Sequence, residues 1–197
     1  MNAAVLYRCL AVALALAVAP SSGAAGEIRV DLDPELTRVS FTLKATLHTV
    51  EGTAQLASGS LVIDPETSAV AGEIVVDAAS TDTGNTGRDK KMHGKVLLSA
   101  GHPQIVFRPT HLEGSLSNGA KTGITLVGDI ELLGEPHQIS IPLDIRIDGS
   151  HFEATAEFSV PYVEWGLEDP STFVLRVAKG VQVRVTAEGT IAFGDGG

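Results

Sequence analysis

From Val39 onward, apolar side chains recur at every second residue in one segment after another, and no other feature of the chain constrains its fold so strongly. Val39, Phe41, Leu43, Ala45 and Leu47 alternate with Ser40, Thr42, Lys44, Thr46 and His48. A period of two places successive side chains on opposite faces of a strand, so each such run predicts a strand with one apolar face. The pattern returns at Ile74, Val76 and Ala78, at Ile105 and Phe107, and at Ile124, Leu126, Ile130 and Leu132. It continues through Ile139, Ile141, Leu143, Ile145 and Ile147, then Phe152, Ala154, Ala156, Phe158 and Val160, then Val181, Val183, Val185, Ala187 and Ile191. The runs span three to eleven residues, and turn chemistry bounds them at Asp64-Pro65, Ser117-Asn118-Gly119, Gly134-Glu135-Pro136 and Asp148-Gly149-Ser150. Only Asp89 to Ala100 reads as a helix, with Met92, Val96 and Leu97 at helical spacing and Pro103 ending it.

About eight antiparallel strands must hide their apolar faces, either by closing into a barrel or by stacking as a sandwich. The long strands favour a barrel. So do inward positions rich in Val, Ile and Leu, in a chain with only six Phe, two Tyr and one Trp. The expected fold is therefore an all-β, antiparallel β-barrel of about eight strands with one short helix. An eight-stranded barrel is either filled by its own side chains or wide enough for one small ligand, and periodicity fits both. The expected lining lies on the inward parity, chiefly Phe41, Leu43, Ile74, Val76, Ile105, Phe107, Ile124, Leu126, Ile141 and Phe158. For each of these, packing within the barrel and contact with a ligand are both consistent with the pattern.

The first 25 residues carry a different signal. Arg8 precedes an apolar run from Leu10 to Ala19, and Pro20-Ser21-Ser22-Gly23-Ala24-Ala25 supplies small residues for cleavage, the pattern of an export signal peptide. The run is about half the length of roughly 20 residues needed to span a membrane, so stable membrane insertion is not expected. The predicted mature domain is 26–197, placed in the periplasm or secreted. Cys9, the only cysteine, falls in the signal and follows Arg8, so no disulfide and no lipoprotein-type anchor is expected. Without Arg8, the chain carries 13 Lys and Arg against 24 Asp and Glu, a net −11. That balance argues against nucleic acid and against anionic lipid headgroups, both of which need clustered positive charge. A small or apolar ligand is compatible with it, as is a homodimer.

One stretch resembles a catalytic motif. Asp82-Thr83-Gly84 is the tripeptide of aspartic proteases, but those enzymes need two facing carboxylates that share a proton. With a single copy here, the site would have to form across a homodimer. The flanks, Ser80-Thr81 before and Asn85 after, describe instead a polar loop in which Asp82 and Asn85 bond to local backbone. The six histidines, His48, His93, His102, His111, His137 and His151, are scattered without the close spacing of a metal site. No Gly-x-Ser-x-Gly elbow is present, and Gly84-Asn85-Thr86-Gly87 lacks the Lys-Ser/Thr of a phosphate loop. The reading is a protein without catalytic residues, metal or cofactor. Trp165 lies on a loop bearing Pro and Gly, with Tyr162 three residues before it. A lone Trp there either packs on the core, which is the expectation, or guards an entrance.

Four longer stretches carry a resemblance. They are RVSFTLKATLHTVEG, the segment from GEIVVDAAS through TDTGNTGRD and KKMHGKVL to HPQIVF, then GDIELLGEPHQISIPLDI, and PYVEWGLEDPSTFVLRVAKGVQVRV. In this order they resemble the YceI-like family of exported bacterial proteins over nearly all of the chain after residue 25. The resemblance implies a lipocalin-like barrel whose elongated cavity binds a long isoprenoid lipid, such as a polyprenyl or isoprenoid-quinone ligand. It implies a carrier or storage protein rather than an enzyme. It also implies that Asp82, Gly84, Asn85, Arg88 and Asp89 form the loop leading into the short helix, with Arg88 and Asp89 fixing that helix. The chain departs from many members at Met92-His93-Gly94-Lys95 and His102-Pro103, where they have a helix rich in Phe and Asp and then Tyr-Pro. The alternative is a ligand-free, filled barrel acting in protein interaction or stress protection.

Overall fold

A computed structural model describes residues 26–194 except Leu47, Ala120 and Val174. The export signal expected at 1–25, Cys9 within it, and Leu47 of the first alternating run lie outside the described residues. Among the described residues nine strands form one antiparallel sheet: β1 (Ile28–Leu32), β2 (Arg38–Lys44), β3 (Thr49–Ile63), β4 (Val70–Asp82), β5 (Gln104–Glu113), β6 (Lys121–Leu132), β7 (Glu135–Asp148), β8 (His151–Val160) and β9 (Val181–Phe193). β1 and β2 both pair with β3 on one side and β9 on the other, β1 against their far ends and β2 against their near ends. They are two halves of one barrel position, and with them the sheet closes into an eight-position antiparallel barrel. The break between the halves is a turn in which Asp33 accepts hydrogen bonds from Glu35 N and Thr37 N.

The seven alternating runs lie in β2 and β4 to β9, whereas β1 and β3 were not anticipated. β3 hides because its inward parity is diluted by Gly52 and Ala54, and a bulge between Leu56 and Ser58 shifts the parity to Gly59, Leu61 and Ile63. β4 carries a wider irregularity, since Thr53 pairs with Asp82 while Gln55 pairs with Asp77. Several strands are longer than the pattern indicated, β7 reaching 14 residues and β9 reaching 13. Gly128 is required where β5 bulges around Pro109, because a Cβ there would overlap the Arg108 carbonyl.

The helical segment starts three residues earlier than expected and ends sooner. It runs as α1 (Thr86–Lys91) and continues as one π-helical turn, Met92–Val96. Antiparallel pairing puts the two longest connections, the helical segment between β4 and β5 and the stretch from Pro161 to Gly180, at one end of the barrel, together with the β2–β3 turn and the β6–β7 hairpin. The opposite end holds the turns at Asp64, Asn118 and Gly149, which tie to one another through Leu112 N to Ser68 O and Gly119 N to Ile147 O, both 2.9 Å. No described helix is long and apolar enough to cross a membrane.

Candidate functional site

The barrel is not filled by its own side chains. It encloses a cavity of about 780 Å³. At the tight-turn end Val30, Ile63, Leu112 and Phe152 line the cavity floor, while Ile28, Val70, Ile147 and Ile191 are buried there without bordering it. That end is sealed. At the other end exposed residues also line the cavity, among them His48, Asn85, Lys91, Pro170 and Thr172, so the opening is there.

All ten residues expected at the inward parity border this space: Phe41, Leu43, Ile74, Val76, Ile105, Phe107, Ile124, Leu126, Ile141 and Phe158. Phe107 and the lower-wall residues Ile124, Leu126 and Ile141 are buried, whereas Phe41, Leu43 and Phe158 nearer the opening are half-buried. The width of the chamber depends on small residues that the lining list did not include. Ala54, Ala154, Ala156 and Ala187 all border it, and Ala154 sits directly opposite Ala187 across the β8–β9 pair. Gly52 makes room in another way. It faces Phe41 across β2 and β3, and a Cβ on it would overlap the tip of the Phe41 ring, so only a glycine leaves that ring its place. Leu56, Leu61 and Ile63 of β3 were also missed, and their signal was the weakened alternation from Val50 to Leu56.

Polar groups in the wall are already satisfied. Thr81 Oγ1 donates to Ala78 O at 2.8 Å, and the Tyr162 hydroxyl donates to Ala178 O at 2.9 Å. Burial, and then the nearby Asp169 carboxylate, push the Tyr162 pKa up to about 12. The deep cavity therefore offers apolar contact, and among the described residues that line it below the opening there is no free carboxyl, imidazole or thiol. Such a chamber can hold an apolar chain by excluding water from it.

At the opening, the motif that resembled a protease site is a helix cap. Asp82 Oδ1 accepts from Gly84 N at 2.6 Å, and Asn85 Oδ1 caps α1 by accepting from Arg88 N at 3.0 Å. Arg88 donates from Nε to Thr83 Oγ1 at 2.7 Å and from a terminal nitrogen to Thr83 O at 2.9 Å. Asp89 accepts from both the backbone N and the hydroxyl of Thr83, and the hydroxyl bond is the main cause that holds its carboxyl below the usual range. The helical segment is thus clamped to the end of β4, and Arg88, Lys91, Met92, Val96 and Leu97 border the cavity from it. His93 supports the same clamp, with ring nitrogens 2.9 Å from Thr81 O and from Ser99 Oγ.

Trp165 does not border the cavity. It is half-buried against the core and stacks on His137, ring centroids 4.6 Å apart and planes 3° from parallel. Among the described residues, no three His, Cys, Asp or Glu side chains converge in a way that could hold a metal ion.

Comparison with solved structures gives the same barrel. BcnA from Burkholderia cenocepacia aligns with a TM-score of 0.63 at 18% identity, covering 82% of this chain and 99% of that one. A polyisoprenoid binding domain from Saccharophagus degradans, implicated in plant cell wall breakdown, aligns with a TM-score of 0.63 at 17% identity, covering 82% and 98%. The YceI protein of Campylobacter jejuni aligns at 0.52 and 12% identity, covering 75% and 84%. Comparison with curated proteins gave no match. The family model of the YceI-like domain matches residues 31–189, from β1 to β9, and so takes in both halves of the split barrel position together with the helical clamp. This chain belongs to the YceI-like family.

Proposed function

We propose that the protein binds a long isoprenoid lipid, a polyprenyl chain or an isoprenoid quinone, in the barrel cavity and carries or stores it in the periplasm or outside the cell. The observation that carries this reading is the cavity itself: about 780 Å³, sealed at one end, open at the other and walled mainly by apolar side chains. Its size falls within the range of roughly 300–1,000 Å³ found for single-ligand sites. Each buried methylene contributes about 0.8 kcal/mol, so a chain of several isoprene units can offset the cost of association without a charged contact. Family membership and the polyisoprenoid binding domain from Saccharophagus degradans support the choice of ligand class. The pattern of residues 1–25 supports the location.

The test is organic extraction, with native mass spectrometry, of protein purified from its own host. An isoprenoid lipid should co-purify at up to one molecule per chain. Recovery of lipid-free protein that also fails to take up added polyprenol or quinone would overturn the reading.

A further inference from the structure

The rim of the opening differs from the rest of the surface in charge. Three segments border the opening: 44–51 from the end of β2 into β3, 81–97 with the helical clamp, and 161–180 before β9; the β6–β7 hairpin at the same end, Leu133-Gly134, does not line the cavity and adds no charge. Together they hold seven Lys and Arg against six Asp and Glu, whereas the remaining described residues hold six against seventeen. Lys44 ends β2, four of the seven lie between Arg88 and Lys95, and Arg176 and Lys179 lie on the last segment. Among the described residues none of these seven forms a salt bridge, while Arg29, Arg108, Lys121 and Arg184 on the remaining surface all do. Asp169 stands near Lys179 and Arg176, although its carboxyl is held below the usual range first by the Ser171 hydroxyl. The strongly acidic whole-chain charge conceals this segregation.

The same rim carries the most exposed large apolar side chain described. Phe173 is 97% exposed, against 46% for Leu36, the next highest. It follows Thr172, whose backbone N donates to Leu175 O at 2.8 Å, and both residues of that bond border the cavity. The base of this loop is tied to the end of β2. Thr46 N donates to Arg176 O, Ala178 N donates to Lys44 O, and Ala45 bridges Val177. The aromatic tip is therefore held out beside the opening on an anchored loop.

We propose that this rim docks on an anionic lipid bilayer, with Phe173 entering the boundary between headgroups and acyl chains and the exposed cations, Arg88 of the clamp excepted, facing the headgroups. An apolar tip flanked by cations is the combination that binds such an interface. Docking in this orientation turns the cavity opening toward the membrane and leaves the acidic barrel body in water. Docking depends on the rim and not on the cavity contents, so it is measured without reference to which ligand is bound.

The experiment is flotation of the purified chain (residues 26–197) with vesicles of phosphatidylcholine alone, and with vesicles containing phosphatidylglycerol at about one lipid in three. The expected result is association with the phosphatidylglycerol vesicles at low salt that weakens in 0.5 M NaCl, as screened charge requires. Phe173→Ser should lower the partition coefficient about tenfold, and Lys91→Gln or Arg176→Gln about fivefold each. Phe173→Ser should leave the melting temperature unchanged, since the side chain packs against almost nothing. Absence of vesicle association would overturn the proposal. So would association that Phe173→Ser leaves unaltered, or a rim that binds only a protein partner and no vesicle. A chain that floats with vesicles yet takes up no isoprenoid would count against the carrier reading and leave docking intact.

Discussion

Ala154→Phe separates an open chamber from a packed core by the sign of its effect. Ala154 borders the cavity in mid-wall on β8, opposite Ala187 on β9 and Ile145 on β7. A Phe side chain buries about 150–250 Å². If roughly 100 Å² of that is new apolar contact, the gain at about 25 cal/mol per Å² is about 2.5 kcal/mol. Freezing the ring costs about 1 kcal/mol of rotamer freedom, which leaves the lipid-free protein about 1–2 kcal/mol more stable. In a domain of this size that raises the melting temperature by about 3–6 °C. In a tightly packed interior, the same change would instead cost about 1–3 kcal/mol through overpacking. The ring also takes space that an apolar ligand would occupy. Excluding three or four methylenes at about 0.8 kcal/mol each should weaken isoprenoid binding on the order of a hundredfold. Calorimetric melting of delipidated wild type and variant gives the first quantity, and titration with a fluorescent polyprenol gives the second. A variant that melts lower and binds lipid as before would refute both the open chamber and its use.

Phe41→Ala and Phe107→Ala should both destabilise the lipid-free protein, Phe107 by about 3–5 kcal/mol and the half-buried Phe41 by less. Added quinone should recover part of each loss, as thermal melts with and without ligand would read. Asp89→Asn should loosen the helical clamp only where wild-type Asp89 is ionised. Because its pKa is lowered on folding, the contribution is present above the ordinary carboxylate value and is lost as pH falls through the lowered one. The difference between wild type and variant in urea melts should therefore shrink below about pH 4. Asp82→Asn is the control and should leave lipid affinity nearly unchanged. Tyr162 has a raised pKa, so its neutral form contributes stability that is complete below about pH 10 and lost as pH rises through about 12. Tyr162→Phe should cost about 1 kcal/mol at neutral pH. It should also flatten the wild-type loss of stability at alkaline pH.

The residues by themselves determined which way most side chains point. Alternation placed Phe41, Ile74, Phe107, Leu126 and Phe158 on the inner face because a strand's side-chain period is two regardless of what surrounds it. The turns at Asp64, Asn118 and Gly149 and the bonding of Asp82 and Asn85 to local backbone were also legible, since each depends on atoms only a few positions apart, whereas the start of the helix at Thr86, and so the role of Asn85 as its cap, was not. β3 was not, because Gly52, Ala54 and the bulge after Leu56 erase its period, and those features make sense only against Phe41 and β4. Parity gives the direction of a side chain but not the distance to the opposite wall. That distance follows from how many strands close the barrel and at what stagger. Whether the interior was filled or hollow was therefore decided when Ala154 met Ala187 and Ile147, Ile191 and Phe152 sealed one end. The gathering of Lys44, Lys91 and Arg176 around the other end was decided in the same way, by loops far apart in the chain that antiparallel pairing brings to one rim.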